Sequence, residues 1–332
     1  MSKKIDDLIE SGLKEDSCVL FVGPEFLRIG DTDYNAAFYK TLPDADENDD
    51  NADEVNKKNA RYNTDEKIWS FKSKDIQDEF FGKLKTFLKK NRNLSNETFL
   101  KLAEIPFPLI VSLLPDDTLD AAFSQYRNIS HSFKTFFIDS DVPEVSKENI
   151  LIYNIFGNIK HNEFVTSHAD YLNFVMEYAE KKFPPNLKTA FKKAQYFVFV
   201  GFEFDKWYNI LLLYVLNREK SSSKKYIVIE QSTKELLKKL QDSNLKLLFI
   251  DGEAKGFIDQ LHQKAADAGI LRNVMPKDKF ILEQMKTNQQ TIEETKNLLT
   301  VTTNPTEKLR LKMDIEKLES ENDKLLEQLK KM

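Results

Sequence analysis

The stretch Cys18-Val-Leu-Phe-Val-Gly-Pro-Glu25 decides the fold class of this 332-residue chain. Five apolar residues are followed at once by a glycine and a proline, which is typical of a buried strand that ends in a tight turn. Further short apolar runs occur at residues 108–113, 150–155, 196–201, 226–229 and 245–250. Strands that are apolar on both faces belong in parallel sheets with helices on either side. The sequence therefore predicts an α/β protein with a Rossmann-like, doubly wound and mostly parallel sheet.

Helical patterns separate these runs and continue beyond them. The first 17 residues form an amphipathic pattern that lacks the continuous apolar core and the cleavage site of a signal peptide. Residues 234–240 and 256–262 have helical periodicity on either side of the last predicted strand. The composition changes at Pro276, after which glycine is absent. We therefore predict a Rossmann-like domain over residues 1–275 and a helical tail over residues 276–332.

An insertion at residues 42–104 interrupts the strand pattern. Seven of the eleven residues from Asp44 to Glu54 are acidic, and such a run cannot bury apolar surface. We therefore predict a mobile acidic loop up to about residue 70, with an acidic gate over a cofactor as the alternative. Residues 76–102 then carry a helical stripe: Ile76, Phe80, Leu84 and Leu88. We expect this second part to form a helical cap on the ligand-facing edge of the sheet.

The tail is predicted to form two helices separated near residues 302–305. The second helix carries two interleaved seven-residue series, which is the heptad pattern of a coiled coil. One series is Leu311, Leu318, Leu325 and Met332, and the other is Ile315, Asn322 and Leu329. One Asn in such a seam favours a parallel pair of chains, whereas the apolar stripe of the first helix allows an antiparallel hairpin within one chain. We predict self-association, or pairing with partner-protein helices, through Leu311, Ile315, Leu318, Asn322, Leu325 and Leu329.

Composition and charge exclude several classes of protein. Lys and Arg number 49 against 54 Asp and Glu, a formal net charge of −5. Because nucleic-acid binders usually carry a basic excess, we expect no direct binding of nucleic acid. The single cysteine, Cys18, excludes an intrachain disulfide, and no metal-ligand spacing occurs among the four histidines. No stretch approaches the ~18 apolar residues of a membrane span, so we expect no membrane contact and a cytoplasmic location.

The turn after the first predicted strand is a candidate ligand site. A glycine-containing turn at the carboxyl end of a Rossmann strand admits phosphate, because its backbone N–H groups can approach closely. Gly23 fits this role, but Pro24 lacks an N–H donor and Glu25 brings negative charge where a pyrophosphate would lie. The turn alone therefore indicates no particular nucleotide. Trp207 and Tyr208 either line a pocket or pack against the sheet.

Four stretches carry strand-and-turn motifs in a specific order. They are Val22-Gly-Pro-Glu25, Phe107-Pro-Leu-Ile-Val-Ser-Leu-Leu-Pro-Asp-Asp117, Leu151-Ile-Tyr-Asn-Ile-Phe-Gly157 and Phe199-Val-Gly-Phe-Glu-Phe-Asp205. Together they resemble the sirtuin-like (silent-information-regulator) family in its diverged form from bacterial defence proteins, whose motifs read G-A-G-x-S, T-x-N-x-D, K-L-H-G and a Gly-centred turn followed by Asp. Phe164-Val-Thr-Ser-His-Ala-Asp-Tyr171 is similar to the family's L-T-x-x-D-Y segment. The resemblance covers about residues 15–270 and implies an NAD-binding domain.

The sequence departs from that family at the catalytic positions. The family's Asn, which positions the nicotinamide ribose and the attacking water, falls on Leu114, and its general-base His falls on Phe156. Neither side chain can orient water or accept a proton, so the resemblance implies that NAD cleavage is lost. The positions that it implies for cofactor binding are Gly23, Pro24, Glu25, Asp116, Gly157, Gly201 and Asp205. Asp116 is equally suited to cap the helix that follows it.

The resemblance leads us to expect a catalytically degenerate adaptor, sensor or scaffold subunit of bacterial anti-phage defence that assembles through its tail. No cofactor is required for that role, and NAD or ADP-ribose is the candidate ligand. One alternative is an NAD hydrolase whose catalytic groups have moved within the cleft, with His161 and Asp116 as candidates. Another alternative is a protein that binds ADP-ribose or a related nucleotide without cleaving it. Loop histidines such as His161 and His168 are more often surface residues than bases.

Overall fold

The computed structural model describes residues 2–44, 54–91, 97–229 and 245–331. Its centre is a parallel seven-stranded sheet with the strand order β7-β6-β5-β1-β2-β4-β3. The strands are β1 (Cys18–Val22), β2 (Leu109–Ser112), β3 (His131–Thr135), β4 (Ile150–Asn154), β5 (Tyr196–Val200), β6 (Lys224–Ile229) and β7 (Leu247–Asp251). The predicted α/β, Rossmann-like fold class is confirmed.

Helices pack around the sheet and continue into the C-terminal part of the chain. They are α1 (Ser2–Asp7), which continues as a π-helical turn (Leu8–Leu13), α2 (Tyr34–Tyr39), α3 (Lys74–Asn91), α4 (Glu97–Glu104), α5 (Thr118–Phe123), α6 (His168–Lys181), α7 (Pro185–Lys193), α8 (Trp207–Glu219), α9 (Ala254–Asp267), α10 (Lys277–Val301) and α11 (Pro305–Lys331). No helix in these described ranges is both long enough and apolar enough to cross a bilayer.

All six predicted apolar runs are strands of the central sheet, whereas β3 was not predicted. The sequence of β3, His131-Ser-Phe-Lys-Thr135, mixes polar and apolar residues because this strand lies at the edge of the sheet. Four of its five residues are half-buried, so it lacks the continuous apolar signal of the inner strands. The predicted helix at residues 256–262 lies within α9, and the one at residues 234–240 lies outside the described residues.

The insertion is more ordered than the sequence predicts. A two-stranded hairpin, Ala60–Asn63 with Ile68–Phe71, occupies the second part of the predicted loop. Its Trp69 is 1% exposed and packs 4.5 Å from the ring of Phe80, so the prediction of a mobile loop is wrong for residues 54–70. The acidic residues 45–53 lie outside the described residues. The predicted stripe of α3 is confirmed, because all four of its apolar residues are buried.

The chain divides into two compact units. The first contains residues 1–123 and 130–272 and holds the sheet, and the second contains residues 124–129 and 273–332. This division lies close to the predicted boundary at Pro276. It also assigns residues 124–129 to the second unit, where the backbone N–H of Lys277 donates to the Gln125 carbonyl. Nothing in the sequence indicated that assignment.

The second unit contains an antiparallel hairpin of α10 and α11. Asn322 accepts a hydrogen bond from Asn288 at 2.9 Å, and Lys296 pairs with Glu319 at 3.0 Å. All six residues predicted for assembly are at least partly buried: Leu311, Ile315, Leu318, Asn322, Leu325 and Leu329. The structure therefore shows the predicted alternative, an antiparallel hairpin within one chain, in which Asn322 pairs with Asn288 of the same chain. Met332 lies outside the described residues.

Candidate functional site

A cavity of about 300 Å³ lies at the carboxyl ends of the central strands. The chain passes from β1 to β2 on one side of β1 and later returns to β5 on its other side. This reversal of direction opens a crevice outside the sheet, which is where open α/β sheets bind their ligands. The cavity volume lies at the lower end of the range for small-molecule sites. We call this space the switch-point cavity.

The lining combines aromatic, acidic and basic side chains. The aromatic residues are Tyr34, Trp69, Phe156, Phe164, Tyr171 and Tyr208. The charged residues are Glu25, Arg28, Asp31, Asp33, Lys67 and Glu203. The other residues are Pro24, Thr32, Asn35, Leu113, Val165, Thr166 and Asn209. An apolar wall with a few convergent polar groups is the usual composition of a small-molecule site.

The turns after β1 and β5 approach each other at the base of the crevice. A Cβ atom on Gly23 would lie 2.0 Å from the Gly201 carbonyl oxygen, and Gly201 itself has a φ of +76°. Only glycine satisfies both requirements. The Glu25 N–H donates to the Gly201 carbonyl at 3.2 Å, and the Phe26 N–H donates to the Gly23 carbonyl at 3.4 Å. These amides are used within the turn, so it does not cradle phosphate in the manner of a glycine-rich loop.

The aromatic wall is fixed by contacts between the insertion and the start of α6. The backbone N–H of Trp69 donates to the Thr166 carbonyl at 2.9 Å, and the Trp69 indole N–H donates to Asn35 Oδ1 at 2.9 Å. Ser167 and Asp170 form a capping box that starts α6. The same Asp170 also accepts hydrogen bonds from the backbone N–H and the hydroxyl of Thr166, each at 3.0 Å. These bonds fix the hairpin beside the start of α6, where Trp69 and Thr166 both line the cavity.

Three tyrosines keep neutral hydroxyls in the cavity wall. The rings of Tyr171 and Tyr208 stack with their centroids 4.6 Å apart. Burial raises the pKa of Tyr34, Tyr171 and Tyr208 above its ordinary value, so each phenol stays protonated at neutral pH. The Tyr171 and Tyr208 hydroxyls have no hydrogen-bond partner among the described residues. Both can therefore donate to a ligand.

The charged groups occupy the mouth of the cavity. Lys67 forms an ion pair with Glu203 across the opening, from a backbone with a φ of +56° that favours glycine. Asp33 accepts a hydrogen bond from the Ala36 N–H at 3.0 Å as the N-cap of α2, and another from the Tyr62 hydroxyl at 3.2 Å. The carboxylates of Glu203 and Asp33 are therefore both bonded to other groups of the protein. Arg28 is exposed at the rim.

Asn209 carries an unsatisfied polar atom at the cavity wall. Its side chain is 1% exposed, and its Nδ2 donates to the Glu203 carbonyl at 2.9 Å. Its Oδ1 has no hydrogen-bond partner in the structure. A buried acceptor without a partner costs stability unless another group supplies a hydrogen bond. A ligand with an N–H or O–H donor would satisfy Asn209.

A second, more polar cavity of about 940 Å³ adjoins the first. The two cavities share four lining residues: Glu25, Arg28, Lys67 and Glu203. Asp205, from the predicted set, lines only the second cavity and pairs there with Lys206 at 2.5 Å. A ligand longer than the switch-point cavity could therefore extend past the Lys67–Glu203 pair.

The structure brings together only part of the predicted site. Pro24, Glu25 and Phe156 line the switch-point cavity, and Gly23 and Gly201 shape its base. The remaining predicted residues have other roles. Asp116 accepts a hydrogen bond from the Thr118 N–H at 3.1 Å at the start of α5, and Leu114 is buried without lining either cavity. Gly157, at a φ of +86°, allows a small hairpin in which its Cβ position lies 1.8 Å from the Glu163 carbonyl oxygen.

No histidine lines the two cavities within the described ranges. His161 is exposed, and His168 pairs with Glu66 at 3.1 Å while stacking on Trp207. The other two are paired, His131 with Asp120 and His262 with Glu104. The candidates for a relocated catalytic pair, His161 and Asp116, therefore lie outside both cavities. No three potential metal ligands come together in the part of the chain that is described.

No protein-family model matches the chain, and a search of the curated proteins finds no match. The site must therefore be interpreted from its own chemistry. Sequence reasoning missed Asp33, Lys67 and Trp69, because they come from the segment taken to be a loop and its surroundings. Tyr171 did carry a signal as the last residue of the segment that is similar to L-T-x-x-D-Y, and Tyr208 was considered as a pocket residue with packing against the sheet as the alternative.

Proposed function

We propose that this protein is a sirtuin-like sensor that binds NAD or an NAD-derived nucleotide without cleaving it, and that relays the bound state as an adaptor or scaffold subunit of bacterial defence. The observation that carries this proposal is the aromatic switch-point cavity, whose position is that of the nucleotide site in doubly wound sheets. The order of the four motifs supports the assignment to this family. The ligand class follows from the chemistry of the lining.

The lining suits a flat ring that bears a positive charge and an amide. Tyr208, Tyr171 and Trp69 offer aromatic surface for stacking. The charged lining comprises four carboxylates and two cations, so it favours a cationic ring such as nicotinamide in NAD. The unpartnered Asn209 Oδ1 can accept a hydrogen bond from a carboxamide. Arg28 at the rim lines both cavities, so it can neutralise a phosphate group of a bound ligand that extends from the switch-point cavity into the second cavity.

The proposed loss of catalysis is supported by the residues at the two positions that the family resemblance implies for catalysis. Phe156 packs edge to face against Tyr171 and Phe174, with ring centroids 5.3 and 5.0 Å apart, so its position is part of the core. Leu114 is buried beside β4, where its carbonyl accepts a hydrogen bond from Asn154. Neither position can carry a proton acceptor without repacking. Loss of a general base typically removes about 10²–10⁴ in rate.

The helical hairpin supplies the candidate surface for assembly. The heptad residues of α11 pack against α10 of the same chain. Four apolar side chains near the turn point outward, each more than half exposed: Leu298, Val301, Leu309 and Met313. We propose that the chain assembles with further copies or with partner helices through this patch. Replacing Leu309 and Met313 with Glu should lower the mass measured by light scattering at unchanged helix content, and an unchanged mass would refute assembly through this patch.

An NAD hydrolase is the second candidate function. It is favoured by the four carboxylates of the cavity, since a carboxylate can stabilise the positive charge that develops on the ribose as nicotinamide leaves. Glu203 and Asp33 are engaged in an ion pair and a helix cap, which makes them poor bases in the resting structure. Nicotinamide release that disappears on Glu203→Gln would support this candidate.

Calorimetric titration of NAD and ADP-ribose into matched variants tests the binding proposal. Tyr208→Phe removes one hydroxyl from the cavity wall and keeps the ring, and we expect it to weaken NAD binding by up to roughly tenfold. Tyr214→Phe is the control, because Tyr214 lies on the same helix but is 46% exposed and away from both cavities. Equal affinities of the two variants would refute the placement of the ligand in the switch-point cavity.

Arginine variants provide a second matched pair at the mouth of the cavity. Arg28→Ala removes the cation at the rim. It should weaken the binding of NAD more than the binding of nicotinamide, because only NAD carries phosphate. Arg61→Ala removes an exposed arginine that lines neither cavity. Similar losses of affinity in both arginine variants would indicate a general effect of charge and would contradict the site.

A further inference from the structure

A basic cavity of about 300 Å³ lies at the opposite ends of the two helices that border the switch-point cavity. Four cations line it: Lys182, Lys188, Lys192 and Arg218. It shares no residue with the switch-point cavity. Asn209 and Arg218 lie in the first and last turns of α8, which places the two sites roughly 14 Å apart along that helix.

Three helices bring these cations together. Lys182 ends α6 and Arg218 lies in the last turn of α8. Lys188 and Lys192 are four residues apart in α7, so they share one face of that helix. The one carboxylate of the lining, Glu219, accepts a hydrogen bond from the Tyr178 hydroxyl at 2.7 Å. In a chain with a net charge of −5, this concentration of positive charge is local.

Capping of helix ends does not account for these four side chains. The carbonyl of Tyr178 at the end of α6 is bonded by the Lys182 backbone N–H, and that of Leu216 in α8 by the Lys220 backbone N–H. The Lys220 ammonium group donates a hydrogen bond to the Lys192 carbonyl at 2.7 Å. The four lining cations have no side-chain hydrogen bond or ion pair with any other described residue. Glu219 offsets one of the four positive charges in the lining, and no ion pair or side-chain hydrogen bond within the described structure relieves the repulsion that remains.

The backbone of Lys182 is held in a conformation that favours glycine. Its φ is +58° and its ψ is −173°, a region that side-chain-bearing residues rarely occupy. A glycine would end α6 there without strain. The structure instead keeps a lysine at the lining of the basic cavity. Strain of this kind is concentrated at functional sites.

We propose that the basic cavity binds a polyphosphate group. A chain of two or three phosphates is compact, carries several negative charges and can meet four cations that arrive from three directions. Lysine and arginine side chains bind phosphate oxygens through charge-assisted hydrogen bonds. The group can be inorganic polyphosphate or the phosphate tail of a nucleotide, and both sources share this chemistry. The site is independent of the nucleotide proposed for the switch-point cavity.

Titration of the full-length protein with inorganic tripolyphosphate, followed by calorimetry and ³¹P NMR, tests this proposal. We expect saturable binding that weakens as salt is added, because the contacts are ionic and exposed. Lys182→Ala and Arg218→Ala should each weaken the affinity roughly tenfold. Lys89→Ala is the matched control, since Lys89 is an exposed lysine of α3 outside this cavity. ATP and AMP distinguish the sources, because AMP should bind much more weakly than tripolyphosphate.

Lys182→Gly separates loss of binding from loss of stability. It should weaken tripolyphosphate binding as Lys182→Ala does, and it should also raise the melting temperature by a few degrees, since glycine relieves the strained backbone. Tyr208→Phe should leave tripolyphosphate binding unchanged, which separates this site from the switch-point cavity. Absence of binding, ATP binding without tripolyphosphate binding, or equal weakening by Lys89→Ala would overturn the proposal.

Discussion

At the scale of single residues, Gly23 illustrates how one backbone contact shapes the candidate site. The turns after β1 and β5 meet there, and nothing larger than hydrogen fits between Gly23 and the Gly201 carbonyl. This contact closes the base of the switch-point cavity. It also explains why a glycine stands where the family resemblance implies a phosphate-binding glycine, even though the amides of this turn are used internally.

Gly23→Ala should destabilise the fold by about 1–3 kcal/mol or more, because its Cβ would overlap backbone atoms that cannot move aside. Gly82→Ala is the control. Gly82 lies within α3 with nothing within 4 Å of its Cβ position, so this change should stabilise the protein by about 0.5–1 kcal/mol. Urea denaturation measures both changes, and a neutral Gly23→Ala would contradict the close approach of the turns.

Lys225 is a second residue whose environment dictates a measurable property. Its side chain is buried at the start of β6, and its ammonium group donates to Asn217 Oδ1 at 3.1 Å and to the Ser223 carbonyl at 3.2 Å. Burial, with repulsion from Lys246, lowers the pKa of Lys225 to about 8. The charged form is therefore disfavoured in the folded protein, and its burial opposes folding below that pH.

Lys225→Met should stabilise the protein at pH 7 by on the order of 2 kcal/mol. Between pH 8 and the ordinary lysine pKa of 10.5, the unfolded chain binds more protons than the folded one, so the wild-type protein gains stability as the pH rises. The advantage of Lys225→Met should therefore disappear near pH 10.5. Urea denaturation between pH 7 and 10.5 measures the difference in unfolding free energy between Lys225→Met and the wild-type protein. Lys193→Met, at an exposed lysine, is the control. A constant advantage would contradict the lowered pKa.

At the scale of elements, the C-terminal hairpin shows how one heptad pattern supports two arrangements. The seam of α11 satisfies the spacing for pairing with a second chain as well as with α10. The short connection between Val301 and Pro305 favours the local partner, because closing a short loop costs less entropy than bringing two chains together. The pairing of Asn288 with Asn322 then fixes the register.

Cysteine cross-linking distinguishes the two arrangements of the seam. The double variant Asn288→Cys, Asn322→Cys should form a disulfide within one chain, because the two side chains meet at 2.9 Å. The single variant Asn322→Cys should stay uncross-linked, since its partner in the hairpin is not another Asn322. Non-reducing gel electrophoresis measures both, and Cys18 does not interfere because it is buried. A covalent dimer of Asn322→Cys would instead indicate the parallel zipper.

Elements with a continuous apolar signal could be predicted from the sequence, and elements without one could not. The run at residues 18–22 coincides with β1, since every residue of that strand is buried. The edge strand β3 and the Trp69 hairpin alternate or mix polar and apolar residues, and their order depends on contacts with distant segments such as α3 and the start of α6. Local pattern carries no information about such contacts.

At the scale of the whole molecule, the candidate site was predicted in position but not in composition. The strand order places the crevice next to β1, which the alternation of strands and helices already implies. The lining includes Trp69 from the insertion and Asn209 from α8, which are 140 positions apart in the printed sequence. Their convergence depends on how the insertion folds back, and that could not be read from spacing. Glu25 and Phe156 were singled out through the family resemblance, Glu25 as a cofactor-binding position and Phe156 as the position of the family's His, and both line the cavity.

A proton NMR time course of NAD mixed with the purified protein tests directly whether the switch-point cavity binds NAD without cleaving it. We expect the nicotinamide resonances of NAD to broaden in proportion to the protein concentration, with less broadening in Tyr208→Phe but not in Tyr214→Phe. We also expect that no free nicotinamide accumulates. Sharp NAD signals that the protein leaves unchanged would contradict binding at the switch-point cavity. Steady release of nicotinamide would contradict the loss of catalysis and would favour the hydrolase.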